Sequence, residues 1–95
     1  MTIGVIVEEK IKDGQFGEFV DYMAEMIALT KQENGCIAYD LYEAADGSDS
    51  VVMIELWESK EALDAHMASE HFKRLIPGAE IYKEKPSVIR VFSRV

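Results

Sequence analysis

The spacing of hydrophobic and polar positions in the first part of the chain predicts a strand followed by a helix. Thr2–Ile11 is rich in isoleucine and valine and predicts a strand, which the turn signal Lys12-Asp13-Gly14 closes. Apolar residues then recur from Phe16 to Thr30 at the spacing of one face of an amphipathic helix. Gly35 is expected to cap the end of this helix.

The middle of the chain predicts a hairpin of two strands. Cys36–Ala44 and Ser50–Glu58 have strand composition, and a short polar turn at 46–49 joins them. The register that pairs odd positions avoids placing Asp40 against Glu55, where like charges would meet. It sets Leu41, Tyr39 and Ile37 opposite Met53, Glu55 and Trp57.

The last part predicts a second helix and a final strand. Ser59 is a good N-cap for a helix from Lys60 to about Ile76, which Pro77-Gly78 ends, and Val88–Val95 has strand composition. The order strand, helix, strand, strand, helix, strand predicts an α+β fold of the ferredoxin-like kind. We expect a single domain over residues 1–95, with a four-stranded antiparallel sheet and both helices on one face.

The third strand is apolar on both of its faces, which predicts a homodimer. Its even positions Val52, Ile54 and Leu56 are aliphatic, and its odd positions Met53 and Trp57 are also apolar. Helices can cover only one face of a sheet, so the aliphatic face is expected to meet a second copy of the chain in a dimeric α/β-barrel-type assembly. The apolar fraction of 48% in so short a chain favours the same conclusion.

Charge and composition exclude several partners. The formal net charge of −8 makes nucleic acid an improbable partner, and Lys83 and Lys85 are expected to face solvent rather than form a binding stripe. No apolar run is long enough to span a bilayer, and Cys36 has no second cysteine with which to form a disulfide. These features predict a soluble cytoplasmic protein without a membrane partner.

Glu55 and His71 are the first candidates for chemistry. A carboxylate between Met53 and Trp57 loses hydration, which raises its pKa and suits it to proton transfer, although an ion pair or a hydrogen bond to Tyr39 is the plainer interpretation. On a continuous second helix His71 lies within an apolar arc that also contains Met67, so it could pair with Glu55 across the helix and sheet layers.

The remaining candidates are less certain on the sequence alone. His66 falls about 140° from His71 around the helix, so the two would point together only if the helix bends. Trp57 and Tyr39 on one sheet face could line a flat slot for a planar aromatic substrate, with Met53 and Met67 beside them, although core packing explains these residues equally well. The sequence has no histidines or cysteines at the spacing of a metal site, and it has no glycine-rich phosphate loop. We therefore expect no metal and no nucleotide cofactor.

Three stretches in order resemble the antibiotic biosynthesis monooxygenase family. They are Glu33-Asn34-Gly35-Cys36 through Tyr39, then Glu55-Leu56-Trp57-Glu58-Ser59-Lys60-Glu61-Ala62-Leu63, then His66 through His71-Phe72. The resemblance implies a dimeric ferredoxin-like fold and a cofactor-independent monooxygenase that oxidises a quinol or related aromatic compound with O₂. In that reaction His71 would be the base, Glu55 its orienting partner and Trp57 a pocket wall.

Other members of the family leave alternatives open. Haem-degrading relatives carry an asparagine on the first strand. Ile3–Glu8 has none, which argues against haem degradation. An isomerase or other acid/base enzyme on a small polar metabolite is one alternative, and a non-catalytic binding or stress-response module is the other.

Overall fold

The structure is a computed structural model that describes residues 1–95. Strands and helices follow one another in the predicted order, with one more helix than expected. They are β1 (Ile3–Lys10), α1 (Phe16–Lys31), β2 (Cys36–Glu43), β3 (Ser50–Trp57), α2 (Lys60–Met67), α3 (Glu70–Leu75) and β4 (Val88–Ser93). A 3₁₀ helix, Pro77–Tyr82, connects α3 to β4.

The four strands form one sheet in the order β2-β3-β1-β4, and every neighbouring pair is antiparallel. This is the predicted α+β ferredoxin-like fold. The two central strands, β1 and β3, are neighbours in the sheet but are not consecutive in the sequence. The helical segments that follow each of them carry the chain across one face of the sheet. None of the helices is both long and apolar enough to cross a membrane.

The two faces of β3 have different surroundings, as its period-two pattern predicts. The odd positions Met53, Glu55 and Trp57 are buried on the side of the helices. The even positions Ile54 and Leu56 remain 37% and 38% exposed on the other side. The pleat of the strand therefore directs Glu55 into the helix-covered core, which confirms the predicted orientation.

The hairpin of β2 and β3 has the predicted register over most of its length. Tyr39 lies opposite Glu55, and Leu41 lies opposite Met53. Near the end of the hairpin the prediction is wrong, since Cys36 rather than Ile37 lies opposite Trp57. The register shifts between Cys36 and Ala38, a β-bulge that leaves Ile37 53% exposed and turns Cys36 toward the core.

The predicted continuous second helix is divided into α2 and α3. Ala68 caps the end of α2, and Ser69 adopts an extended conformation in which its hydroxyl accepts a hydrogen bond from the N–H of Phe72. Serine is favoured at such an N-cap because its side chain satisfies a free N–H of the new helix. The chain therefore changes direction between His66 and His71, and a single helical wheel no longer describes them.

Gly35 also differs from its predicted role as the cap of α1. That helix ends at Lys31, and Gly35 follows a short loop and immediately precedes β2. Its φ of +83° is in the left-handed region, and a Cβ there would lie 2.6 Å from the Cβ of Ala62. Glycine is thus needed both for the turn and for the close approach of α2, which brings the neighbouring Glu33 towards the second helical segment.

Candidate active site

A cavity of about 320 Å³ lies between the sheet and the helices. Among the predicted site residues, Tyr39, Met53 and Glu55 line it. Most of the residues that line the cavity are apolar, and a smaller set of lining residues is polar. The apolar residues are Val7, Met23, Tyr39, Met53, Phe72, Ile76, Ala79, Pro86 and Ile89, and the polar ones are Glu9, Glu55, Glu80, Lys83 and Ser87.

The remaining predicted residues lie outside this wall. Trp57 is completely buried. His66 packs against the lining residues Tyr39 and Phe72, and His71 lies beside His66. Met67 is 45% exposed, because α2 ends there and turns this side chain outwards. Neither Trp57 nor Met67 lines this cavity.

Glu55 is the carboxylate that borders the apolar part of the cavity. Its side chain is buried, and its Oε1 accepts a hydrogen bond of 3.0 Å from the indole Nε1 of Trp57. Loss of hydration raises the pKa of Glu55 to about 7, the Trp57 hydrogen bond opposes that rise, and the charge of Glu33 adds to it. Glu55 therefore exchanges its proton near neutral pH.

Tyr39 faces Glu55 across the hairpin and contributes a phenol to the same wall. It is 2% exposed, and its ring centroid lies 5.4 Å from that of His66. Burial raises the pKa of Tyr39, and the negative charge of Glu55 raises it further. The phenol thus stays protonated and acts as a hydrogen-bond donor rather than a base.

His66 and His71 meet at one carboxylate oxygen, that of Glu33. The Nδ1 of His66 lies 2.7 Å from Glu33 Oε2, and the Nε2 of His71 lies 2.8 Å from the same atom. The Oγ of Ser69 is 3.3 Å from His71 Nε2. We call Glu33, His66 and His71 the histidine cluster.

The predicted hydrogen bond between Glu55 and His71 is replaced by these contacts. His71 is bonded to Glu33 and Ser69, while Glu55 is bonded to Trp57. The reason is the break between α2 and α3, which brings the ring of His71 beside that of His66. Glu33 was not singled out from the sequence, although it begins the first stretch of the family resemblance.

His66 connects the histidine cluster to the residues around Glu55. Its ring centroid is 4.6 Å from that of Trp57 and 5.2 Å from that of Phe72, the latter in an edge-to-face arrangement. Burial lowers the pKa of His66, and its hydrogen bond to Glu33 opposes that change. A chain of contacts therefore runs from Glu33 through His66 and Trp57 to the carboxyl group of Glu55.

Lys83 forms the polar end of the cavity, contrary to its predicted position in solvent. Its side chain is only 6% exposed. Its Nζ lies 2.8 Å from Ser87 Oγ, 3.1 Å from Glu80 Oε1 and 3.4 Å from Glu9 Oε1. The backbone explains this burial, because the N–H of Lys12 bonds to the carbonyl of Tyr82 and Ile11 pairs with Lys83, fixing the segment before β4 against the end of β1.

The chain belongs to the antibiotic biosynthesis monooxygenase family, whose model matches residues 2–77. The probable quinol monooxygenase YgiN of Escherichia coli K12 is 34% identical over 79 residues, which cover 73% of this chain and 76% of that protein.

Solved structures agree over nearly the whole chain. A crystal structure of an antibiotic biosynthesis monooxygenase superposes with a TM-score of 0.88 at 31% identity and covers 98% of each chain. The structure of Rv0793 from Mycobacterium tuberculosis gives a TM-score of 0.91 at 28% identity, covering 100% of this chain and 96% of that one. In the sequence comparison the aligned segments are shorter, and the chain spans about half the length of two curated relatives, 56% of a Synechocystis protein and 46% of Rv0793.

Proposed function

We propose that the protein is a cofactor-independent monooxygenase that oxidises a quinol or a related aromatic compound with O₂. The observation that carries the proposal is the position of Glu55, a carboxyl group with a pKa of about 7 on the wall of a largely apolar cavity. A base with such a pKa is suited to proton abstraction at neutral pH. Family membership and the name of the E. coli relative support the same reaction class.

The chemistry requires a proton acceptor and an environment with little water. Deprotonation of a phenolic hydroxyl gives an electron-rich anion, which passes one electron to O₂ and becomes a radical beside superoxide. Recombination of the two forms a carbon–oxygen bond, and the resulting peroxide takes up a proton and loses water to leave a carbonyl group. One oxygen atom thus enters the product and the other leaves as water, with every electron supplied by the substrate.

The cavity suits a small aromatic molecule in size and polarity. Its volume of about 320 Å³ lies at the lower end of the range for small-molecule sites. Tyr39 and Phe72 supply aromatic wall, and the Tyr39 phenol can donate a hydrogen bond. At the other end the ammonium group of Lys83 is paired with Glu9 and Glu80, so this end of the cavity is polar and suits a hydroxyl group of the substrate.

His66 and His71 are proposed as positioning residues rather than as the base. They lie behind the wall of the cavity, and Glu33 holds both rings. His66 packs on Trp57, which in turn donates the hydrogen bond to Glu55. The cluster would therefore fix the direction of the Glu55 carboxyl group without touching the substrate.

The proposed enzyme is a homodimer that associates through the open face of the sheet. This face carries Ile54 and Leu56 from β3 and Val88 and Phe92 from β4, all of them at least 37% exposed. Arg90 of β4 lies among these apolar side chains, and an exposed apolar group with polar neighbours is typical of an interface. Sedimentation at micromolar concentration is expected to give about twice the chain mass of 10.7 kDa. Arginine at both Ile54 and Leu56 should reduce that mass, and a wild-type monomer would contradict the proposal.

Oxygen uptake tests the proposed reaction. Purified protein treated with a chelator should consume O₂ when menadiol is added, at a rate that exceeds autoxidation and scales with enzyme concentration. Product analysis under ¹⁸O₂ should show one labelled oxygen atom per product molecule. Tight menadiol binding without O₂ uptake would instead indicate a non-catalytic binding module. Turnover of a polar metabolite without O₂ would indicate an acid/base enzyme.

A further inference from the structure

We propose that Glu33, His66 and His71 form a binding site for a divalent first-row transition metal ion. One potential ligand atom from each side chain lies within 4.8 Å of the other two. The three residues come from different parts of the fold, the loop before β2, the last turn of α2 and the first turn of α3. The proposal goes beyond the proposed oxygenation, in which the cluster only positions Glu55 and holds no ligand of its own.

The donor set determines which ions fit. Two imidazole nitrogens and one carboxylate oxygen suit Zn²⁺, Co²⁺, Ni²⁺ or Fe²⁺, whereas Mg²⁺ and Ca²⁺ prefer oxygen donors alone. Three protein ligands leave at least one position for water, in contrast to structural zinc sites that the protein closes with four. The site is therefore expected to exchange its metal and to bind it less tightly than a four-ligand structural centre.

Metal binding requires the three ligand atoms to move from their observed distances. Glu33 Oε2 lies 2.7 Å from the His66 nitrogen and 2.8 Å from the His71 nitrogen. Ligand atoms that share a metal at ~2.0–2.1 Å are separated by about 3.0–3.4 Å. The carboxylate oxygen must therefore move back by a few tenths of an ångström, and the two nitrogens, which lie within 4.8 Å of each other, must approach to about 3.4 Å or less. Each imidazole would carry its proton on the nitrogen that faces away from the metal.

Access and preorganisation favour the same site. The side chains of Glu33 and His71 are 15% and 14% exposed, so an ion can reach the cluster from their side. His66 is 2% exposed and is held by the rings of Trp57 and Tyr39. Because His66 is already held in place, its side chain loses little conformational entropy when the metal binds, while Glu33 and His71 can adjust to the ion. A bound ion would also connect the loop after α1 to both α2 and α3.

Titration of tag-free protein with Co²⁺ tests the proposal. The chain contains only two histidines, and both belong to the cluster, so visible bands of cobalt coordinated by imidazole can arise nowhere else in the chain. We expect one ion per chain, and competition by Zn²⁺ should remove the bands. Glu33→Gln and His71→Ala should each weaken Zn²⁺ binding at least 10-fold in calorimetry, about the lower limit for loss of a metal-binding contact.

Two controls separate this site from adventitious binding. Cys36 is the one thiol near Glu33, and Cys36→Ser should leave affinity and cobalt bands unchanged. Glu43→Gln removes an exposed carboxylate from the end of β2 and should also change nothing. Circular dichroism would verify that each variant is folded.

Thermal unfolding gives a readout that does not depend on spectra. Zn²⁺ at a hundredfold excess over its dissociation constant should raise the midpoint of the wild type by about 10 °C or more, because a ligand stabilises the state that binds it. Folded His71→Ala should show little of this rise. Equal Zn²⁺ affinity in the wild type and His71→Ala, or loss of binding in Cys36→Ser alone, would overturn the proposal.

Discussion

Replacement of Glu55 by glutamine is expected to lower the turnover of a quinol substrate by about 10²–10⁴-fold, the usual contribution of a general base. The amide has nearly the same shape as the carboxyl group, and its oxygen can still accept the hydrogen bond from Trp57. The packing around the cavity should therefore persist while the proton acceptor is lost. We expect KM to change little and kcat to carry most of the effect.

The pH dependence of turnover distinguishes a lost base from a distorted cavity. In the wild type, kcat/KM should rise with pH up to about 7, because Glu55 must be ionised to accept a proton. The residual activity of Glu55→Gln should lack this rise in kcat/KM with pH. Glu43→Gln, which alters an exposed carboxylate on β2, serves as the matched control and should retain the wild-type profile.

A different outcome would assign the base elsewhere. If Glu55→Gln keeps full activity and the same rise in kcat/KM with pH, then Glu55 is not the proton acceptor. His71→Ala would then be the decisive variant, since His71 is the more exposed of the two histidines. Under the present proposal His66→Ala should disturb the site at least as strongly as His71→Ala, because only His66 packs on Trp57.

Local periodicity explains why the placement of Glu55 could be predicted. A strand alternates its side chains between two faces, so the pattern of β3 fixes which residues share a side whatever the rest of the fold does. The pairing of Tyr39 with Glu55 followed from charge avoidance across the hairpin. Ile37 escaped this reasoning, because a bulge inserts an extra residue without a distinctive signal in the sequence.

The histidine cluster could not be found in the same way. A helical wheel assumes a continuous helix, and the apolar spacing from Leu63 to Leu75 favours one. The serine at position 69 was the available signal for a break, since serine caps a new helix more readily than it continues one. Glu33 lies more than thirty residues from His66 in the chain, and only the tertiary fold brings the two together.

Lys83 illustrates a second limit of sequence reasoning. Lysine is rarely buried, so a lysine in a polar loop is expected in solvent. Here the connection from the 3₁₀ helix to β4 is fixed against the end of β1, where Glu9 can pair with the ammonium group. The pairing depends on which strand lies beside the connection, which is a property of the sheet order rather than of the local sequence.

Glu55→Gln is also expected to stabilise the fold at neutral and higher pH, by about 3 kcal/mol relative to the wild type. Glu55 has a pKa of about 7 in the folded protein and about 4.5 when unfolded. Between these values the folded state binds more protons than the unfolded state, so the free energy of unfolding falls as pH rises through this window. Glutamine does not titrate, and a variant that carries it avoids this loss.

Chemical denaturation of both proteins at a series of pH values measures the effect. The stability difference should be small below pH 4.5, grow between 4.5 and about 7, and remain constant above that. His66 has a lowered pKa and therefore costs stability as pH falls, but it is present in both proteins and largely cancels in their difference. Glu43→Gln should show no such dependence. A Glu55→Gln difference that is independent of pH would mean that the Glu55 carboxyl group titrates normally, and its assignment as a base poised near neutrality would then fail, even if the variant were inactive.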